Sequence, residues 1–409
     1  MRSWLFFLPV MLLALAVCPP VRGEPVMAPQ DLYLDAMRSL AEGRQYDAND
    51  ALMRMIELEP QHAGAWLDLA IIQCKLGHAA EAERLFGIIE SRFSPPPGIL
   101  EVIASQRTNG CQGWQPHSQW SLLLGRGADN NVNQGASNPS FSIGSGTTRI
   151  DLDLTPDYLP RHDQYTFLSS EFRRNLTPNG DVGFVQFRAR QNDSIKRYDT
   201  ASLVMGLEKP WRFGEWGMKG VASLGLLSLG DQLYQKQGQI QARILPPLAL
   251  PNGFQFSVLA GLSHLVYPTL ANFDSNIAEV GGMLAYQGKG AQIQGSFTRL
   301  SDHRPTDHLG GNRHGWTASL LGHARIADNL NGELGWSRQS WMSQSAYSPG
   351  LIDQTQRQDS QLWRAALVVP IATHHSLLVE WRQIRNDDNI SLFQYNSRLV
   401  QASWLWQSF

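Results

Sequence analysis

The spacing of hydrophobic residues differs between two parts of the chain. A helical period gives way to an alternating, strand-like period near residue 115. From 116 to 409, apolar and polar positions alternate with a period of two. In the segment 254–263 the apolar positions are Phe254, Phe256, Val258, Ala260 and Leu262. Many such runs exceed ten residues, whereas strands of soluble proteins average about 5 to 6 residues and a tilted membrane strand needs about 9 to 11. The pattern therefore predicts a membrane β-barrel with one apolar and one polar face.

About fourteen strands are predicted, an even number, as expected for a barrel whose ends share one side of the membrane. Short turns such as 210–214, 286–290 and 370–374 alternate with longer loops at 303–312 and 344–356. This alternation is typical of short periplasmic turns and long outer loops. The predicted strands are 118–127, 163–175, 182–192, 199–208, 216–229, 231–243, 253–267, 274–287, 290–302, 313–325, 331–343, 357–370, 374–386 and 394–408.

The stretch 129–162 does not fit a simple meander. It contains one further candidate strand, 149–154, which alone would make the strand number odd. Either this strand pairs with a partner that the pattern does not reveal, or the stretch folds into the barrel interior as a plug. The sequence leaves open whether the lumen is plugged.

Residues 24–115 show a different period, a repeat of 34 residues. Gly77 follows Gly43, Ala82 follows Ala48 and Phe86 follows Leu52 at that spacing. The second copy matches the tetratricopeptide pattern best, with Trp66, Leu69, Gly77, Ala82 and Phe86 in place. We therefore predict a short tetratricopeptide domain, capped by 97–107 or by the next domain. The alternative is an ordinary pair of helical hairpins.

The first 23 residues resemble a cleaved secretory signal. Arg2 precedes an apolar run at 5–17, which is too short to span a membrane, and Gly23 supplies a small residue for cleavage. Two cysteines then remain in an oxidising compartment. Cys74 and Cys111 are expected either to form a disulfide or to stay as two unrelated thiols.

Charge and motifs exclude several function classes. The chain has 34 basic and 36 acidic side chains, and no basic block that would indicate binding to nucleic acid. No zinc-protease, nucleophile-elbow, phosphate-loop or paired-cysteine motif is present, so neither an enzyme nor a cofactor is predicted. His303, Asp307, His308 and His314 have spacing that could hold a metal, but their polar loop favours a solvated surface, so no metal site is predicted.

Two sets of residues are candidates for contact with a transported molecule. A tetratricopeptide groove would expose positions of the inner helices, although Trp66 is more typical of helix packing than of ligand contact. The candidate groove residues are Tyr33, Met37, Trp66, Asp68 and Gln73. A water-filled barrel tolerates inward charges of both signs, which could also hold a plug or only solvate the pore. The candidate lumen residues are Arg188, Arg190, Glu333, Arg364, Glu380 and Arg382.

The order of these parts resembles the surface lipoprotein assembly modifier family. Two stretches carry the resemblance, GRGADNNVNQ at 125–134 and NDDNISLF at 386–393. The resemblance implies a periplasmic tetratricopeptide domain followed by a 14-stranded barrel, and delivery of lipoproteins from the periplasm to the cell surface. An Asx-rich hairpin can also be a simple set of turns, since Asn and Asp tolerate left-handed conformations.

The sequence thus predicts an α + β membrane protein of the outer membrane. It comprises a signal peptide at 1–23, a periplasmic helical domain at 24–115 and a barrel at 116–409. The predicted function is a translocon for lipoproteins or other proteins, with an exporter of a secreted polysaccharide or a simple porin as alternatives. The expected partners are the outer-membrane bilayer, the cargo, a periplasmic chaperone and, through Phe409, the barrel-insertion machinery.

Overall fold

The computed structural model describes residues 29–111, 113–144, 149–304 and 308–408. The predicted signal segment and Phe409 lie outside these residues. The chain divides into two units: a helical unit that runs to Gln115 and includes 178–180, and a unit formed by 116–177 and 181–409. The second unit contains all sixteen described strands.

Within its described residues the helical unit contains five helices, and their starting points repeat. Helices α1, α3 and α5 begin 34 residues apart, and so do α2 and α4. Gly43 and Gly77 make the tight turns within the two hairpins, with φ angles of 76° and 86° that a residue with a side chain adopts only at a cost. The helices are α1 Pro29–Ala41, α2 Gln45–Leu58, α3 Ala63–Lys75, α4 Ala79–Phe93 and α5 Pro97–Asn109.

Equivalent repeat positions fill the core of this unit. Ala48 and Ala82 are fully buried, and Leu52 and Phe86 occupy the next equivalent pair of buried positions. Ile103 of α5 is also fully buried, so α5 covers the end of the second hairpin. The small residues let paired helices approach, and the large ones fill the groove between neighbouring pairs. None of the helices among the described residues is long and apolar enough to cross a membrane.

Fourteen antiparallel strands close into a barrel, which confirms the predicted fold class. Each wall strand pairs with its neighbours in sequence, and β1 closes the barrel against both β4 and β16. The wall strands are β1 Ser118–Asp129, β4 Asp163–Asn175, β5 Val182–Asn192, β6 Thr200–Phe213, β7 Trp216–Leu229, β8 Gln232–Leu245, β9 Phe254–Val266, β10 Ser275–Gly288, β11 Ala291–His303, β12 Arg313–Ala327, β13 Leu330–Ser348, β14 Ile352–Ala372, β15 His375–Asp388 and β16 Tyr395–Gln407.

The segment between β1 and β4 folds as a separate hairpin. Strand β2, Ser140–Ile143, pairs only with β3, Ile150–Asp153. The extra strand predicted at 149–154 therefore has a partner that the sequence pattern did not reveal, and neither strand enters the wall. The number of wall strands stays even.

The two faces of the wall differ in chemistry. Alternate residues of a closed barrel face inward and outward, so each strand presents one series to each side. The outward series is apolar and exposed, as at Leu224, Leu262 and Leu334, which are 66%, 63% and 69% exposed. The inward series carries polar and charged groups, such as Gln241 of β8 and Glu279 of β10, which hydrogen-bond to each other.

Candidate functional site

On the helical unit, α1 and α3 bring two of the candidate groove residues together. The Tyr33 hydroxyl donates to Oδ2 of Asp68 at 2.7 Å, and the Tyr33 ring lies 4.8 Å from the ring of His62. Burial, and then the Asp68 carboxylate, raise the pKa of Tyr33 to about 12. Met37 packs half-buried against the core beside this pair. The surface formed by α1 and α3 thus carries one tyrosine whose hydroxyl is hydrogen-bonded to a carboxylate.

The other two candidate groove residues are engaged within the helical unit. Trp66 donates from Nε1 to the carbonyl oxygen of Pro60 at 3.1 Å and packs against the core. Gln73 is buried, and its side-chain amide donates to Asn49 at 2.7 Å while its oxygen lies 2.6 Å from Nδ1 of His78. Helix periodicity alone places Gln73 on the groove surface. In the structure its buried side chain instead connects α3 to α2 through Asn49, and to the following turn through His78.

A disulfide joins α3 to the segment after α5. The sulfur atoms of Cys74 and Cys111 are 2.13 Å apart and close a loop of 37 residues. A cross-link of this kind restricts the unfolded chain and typically contributes about 2–4 kcal/mol of stability. It ties the last helix of the unit to the second hairpin.

On the barrel, four candidate lumen residues from three adjacent strands form one ion-pair cluster. Arg364 of β14 contacts Glu333 of β13 and Glu380 of β15, each at 2.6 Å. Arg382 also pairs with Glu380, and His323 lies 3.3 Å from Glu333. The register places all of them on one face, opposite exposed Leu334 and Val379. Charges of both signs therefore cluster on the inner wall.

The remaining candidates, Arg188 and Arg190, lie on the inner face of β5. Arg190 bonds to Asp129 at 3.1 Å and stacks 4.0 Å over the ring of Tyr165. Arg188 is exposed although it faces inward. Inward Gln292 and Gln294 of β11 are exposed as well. An inner face with exposed polar side chains indicates a hydrated interior at these positions.

Residues of three strands, β1, β4 and β16, form contacts across the seam between β1 and β16. Tyr165 of β4 covers Gly127 of β1, where a Cβ atom would overlap the ring, and its hydroxyl donates to Gln401 of β16 at 3.1 Å. Asp129 of β1 accepts from Ser397 of β16 at 2.8 Å. This network could not be predicted from the sequence, because the motif around Gly127 gives no sign of the ring that covers it.

The hairpin β2–β3 and its flanks bond to loops at one end of the barrel. The amide of Gly144 donates to Leu351, and the amide of Ser137 donates to Gln394. The Ser391 hydroxyl donates to the carbonyl oxygen of Ser140. These partners belong to the connections after β13 and β15, so the described residues 137–144 are bonded to the end of the barrel where the longer loops lie.

No metal centre is evident in the described part of the chain. It contains no group of three or more His, Cys, Asp or Glu side chains placed to bind a metal ion. Of the spaced histidines, His314 lies on the outer face of β12, while His308 lies in the loop before that strand. Asp307 lies outside the described residues.

Comparison with known proteins returns barrels of distant sequence. No protein-family model matches the chain, and no curated protein matches its sequence. Among solved structures, an anion-selective porin from Comamonas acidovorans is 9% identical, with a TM-score of 0.39, covering 72% of this chain and 100% of the porin. The outer membrane channel DcaP of Acinetobacter baumannii is 11% identical with a TM-score of 0.39 over 71% of this chain and 97% of DcaP.

A BenF-like porin from Pseudomonas fluorescens Pf-5 is 10% identical, with a TM-score of 0.37, over 71% of this chain and 98% of the porin. The aligned share of this chain is close to that of its barrel unit. At TM-scores this low, the structural overlap gives no information about the activity of this chain. The resemblance to surface lipoprotein assembly modifiers stays a prediction from the sequence.

Proposed function

We propose that this protein is an outer-membrane transport factor that binds protein cargo through its helical unit and passes it along its barrel to the cell surface. The observation that carries the proposal is the union, in one chain, of a two-hairpin repeat unit and a closed barrel with exposed polar groups on its inner wall. Lipoproteins are the first candidate cargo, because the sequence resembles lipoprotein assembly modifiers.

Membrane placement follows from the physics of the wall. A bilayer core offers no hydrogen-bond partner to backbone groups, so only closed barrels and helices can span it. The fourteen strands close without a free edge, and their outward leucines are exposed. In water, an apolar surface of that extent would favour aggregation. An outer-membrane location accounts for both features, and we place the helical unit in the periplasm because the resemblance to lipoprotein assembly modifiers implies it.

The helical unit supplies the proposed receptor. Tyr33 and Asp68 form the surface feature of α1 and α3 that is best suited to a peptide, since a phenol and a carboxylate can both hydrogen-bond an extended backbone. The 34-residue spacing of helix starts is typical of tetratricopeptide repeats, which bind partners on the face formed by their first helices.

The decisive experiment is protease shaving of intact cells that carry the wild type, no protein, or the double variant Tyr33→Ala, Asp68→Ala. Mass spectrometry then identifies the released surface peptides. We expect one lipoprotein to lose surface exposure, at constant total amount, both without the protein and in the double variant. Unchanged surface peptides without the protein would overturn the proposal.

A matched control separates the receptor surface from general effects on the helical unit. Glu81 and Arg84 form an exposed ion pair on α4, with atoms 2.6 Å apart. Exposed pairs of this kind contribute little to stability. The variant Glu81→Ala, Arg84→Ala should therefore export cargo normally, and heat-modifiable mobility in electrophoresis should show that every variant inserts its barrel.

A plain porin is the second candidate, favoured by exposed inward Arg188 and Arg382. Planar-bilayer recordings of the purified protein test it. If an open pore runs past these cations, the variant Arg188→Gln, Arg382→Gln should shift the reversal potential in a salt gradient towards cation preference. Absence of steady conductance in the wild type would remove this candidate and leave the transport proposal standing.

A further inference from the structure

The outer surface of the barrel changes character along β11 to β14. Towards the short-turn end, the outward residues are apolar, as at Ile293, Leu320 and Leu334. Towards the long-loop end, the same face carries Arg299, Arg357 and several other polar residues. A membrane barrel places such a transition where hydrocarbon gives way to lipid headgroups.

A cavity of about 340 Å³ opens at this transition. Its lining combines rings, a thioether and cations: Phe297, Trp316, Met342, His314, Arg299 and Arg357. The Phe297 and Trp316 rings stack with centroids 5.9 Å apart and an interplanar angle of 22°. Trp and other aromatic residues favour the membrane interface, where one edge can be apolar and the other wet.

The two arginines of this cavity differ from the other outward arginines nearby. Arg338 forms a two-pronged pair with Asp359, and Arg385 pairs with Asp387 at 2.9 Å. Arg299 and Arg357 are exposed and form no ion pair with an acidic group of the described residues. Register places Arg299 beside Trp316, and Arg357 beside Met342, on neighbouring rows of the same face.

The guanidinium that lies over the Trp316 ring is that of Arg338, which Asp359 neutralises. Arg299 and Arg357 therefore supply the unpaired positive charge of a cavity that also has an aromatic lining, and this combination has a defined complement. Guanidinium groups bind phosphate through paired hydrogen bonds, and Arg is more weakly hydrated than Lys. A soluble anion would gain nothing from Phe297, Trp316 and Met342. A lipid can satisfy both parts, because its phosphate reaches the cations while its first methylene groups lie on the rings.

We propose that this outer-wall cavity binds a membrane lipid whose headgroup carries phosphate. The lipid belongs to the leaflet at the long-loop end of the barrel, since the cavity lies where the outward face turns polar towards those loops. The inference rests on the membrane placement proposed above but is independent of the transport activity. Lipid binding here would anchor the wall at β11 to β14 against one leaflet.

The test uses the purified full-length protein in detergent and native mass spectrometry with added lipid. Three probes are compared: bisphosphorylated lipid A, the same lipid with both phosphates removed, and phosphatidylglycerol. The wild type should retain bisphosphorylated lipid A, and the variant Arg299→Gln, Arg357→Gln should bind it at least about tenfold more weakly, which corresponds to the loss of one or two charge-assisted hydrogen bonds.

The control removes the same charge elsewhere on the outer face. Lys236 of β8 and Arg398 of β16 are exposed, outward and remote from the cavity lining. The variant Lys236→Gln, Arg398→Gln should bind lipid A as the wild type does. An equal loss in this control would overturn the proposal, because the binding would then reflect diffuse surface charge.

The two other probes define the ligand. Tight binding of dephosphorylated lipid A would overturn the proposal, because rings alone would then suffice. Binding of phosphatidylglycerol that also depends on Arg299 and Arg357 would support a general site for phosphate-bearing lipids. Binding of lipid A alone would support a site for a phosphorylated glycolipid. A direct comparison of heat-modifiable mobility shows that each variant retains its barrel.

Discussion

The helical unit and the barrel are stable for opposite reasons. In its described residues the helical unit has an apolar core of sixteen buried residues, all between Leu32 and Ile103. The barrel instead buries polar groups on its inner side, such as Glu380, Gln401 and Ser403, and exposes its leucines on the outside. The helical unit excludes water from its centre, whereas the barrel has its apolar surface on the outside.

The contrast teaches where each unit is sensitive to substitution. In the helical unit, a smaller side chain leaves a cavity, because packed neighbours relax only in part. On the outer wall, the surrounding lipid can fill the space that a smaller side chain vacates. There, a new charge is the damaging change, because it must enter hydrocarbon. Four predictions test this contrast, in order of decreasing expected effect.

The largest effect is expected in the helical core. Phe86→Ala should lower the free energy of unfolding of the helical unit by about 3–5 kcal/mol, through lost burial and a cavity. Circular dichroism during denaturation measures it. The matched change Phe187→Ala, on the outer face of β5, should cost clearly less. Equal costs at both sites would break the comparison.

The disulfide should matter to one unit alone. Reduction of the bond between Cys74 and Cys111 should lower the stability of the helical unit by about 2–4 kcal/mol, because a 37-residue loop gains freedom when the unit unfolds. Thermal scans with and without reductant measure the shift. The barrel has no described cysteine, so its heat-modifiable mobility should not respond; a response there would contradict this assignment.

Adjacent residues of β12 separate the two faces of the wall. Leu320 faces outward and is 50% exposed, whereas Ser319 faces inward and hydrogen-bonds Ser296 at 2.7 Å. Leu320→Arg should cost about 2–4 kcal/mol if the site is near the bilayer midplane. Ser319→Arg should cost less, since the inner wall is polar. Refolding into lipid vesicles at graded denaturant concentrations compares the two variants.

The smallest effect concerns Tyr33. Its folded-state pKa is raised to about 12, whereas the phenol of an unfolded chain titrates near 10. The folded form therefore holds a proton that the unfolded form loses, so stability should fall as the pH rises from about 10 to 12. Below pH 10 this contribution is fully present.

Ultraviolet difference titration of the wild type against Tyr33→Phe isolates that group. The missing absorbance at 295 nm should appear near pH 12, and the variant should lose part of the alkaline destabilisation. Asp68→Asn supplies the control, because it removes the carboxylate that adds to the effect of burial and should therefore lower the Tyr33 pKa. A difference transition centred at pH 10 would contradict the assignment.

Most wall strands could be predicted from sequence because their cause is local. A period of two over more than ten residues identifies both the strand and its outward face, as at Phe254–Val266. The ends of the strands were harder to predict than the strands themselves. Strands β13 and β14 have 19 and 21 residues and reach beyond the predicted 331–343 and 357–370. Their extensions lie in a stretch predicted as a loop.

The hairpin β2–β3 could not be predicted because its partners are remote. Its strands have four residues each, too few for a clear period, and its flank bonds to residues more than 200 positions away. The same limit applies to the candidate sites. Alternation assigns Glu333, Arg364 and Glu380 to one face, but only strand register brings them within 2.6 Å.

Gln73 illustrates a different limit. Its place on α3 suggests an exposed groove position, and the sequence gives no sign that Asn49, 24 residues earlier, supplies a buried partner. Polar groups are buried when they find partners, so burial of a polar side chain depends on tertiary contacts. Sequence periodicity alone therefore misassigns such residues.

The regular spacing of helix starts also sets how the helical unit can change in length. Because α1, α3 and α5 begin 34 residues apart, a duplication of one whole period would add one helical hairpin in phase with the existing two. The helical unit could thus lengthen in whole steps of one repeat, without rebuilding the barrel.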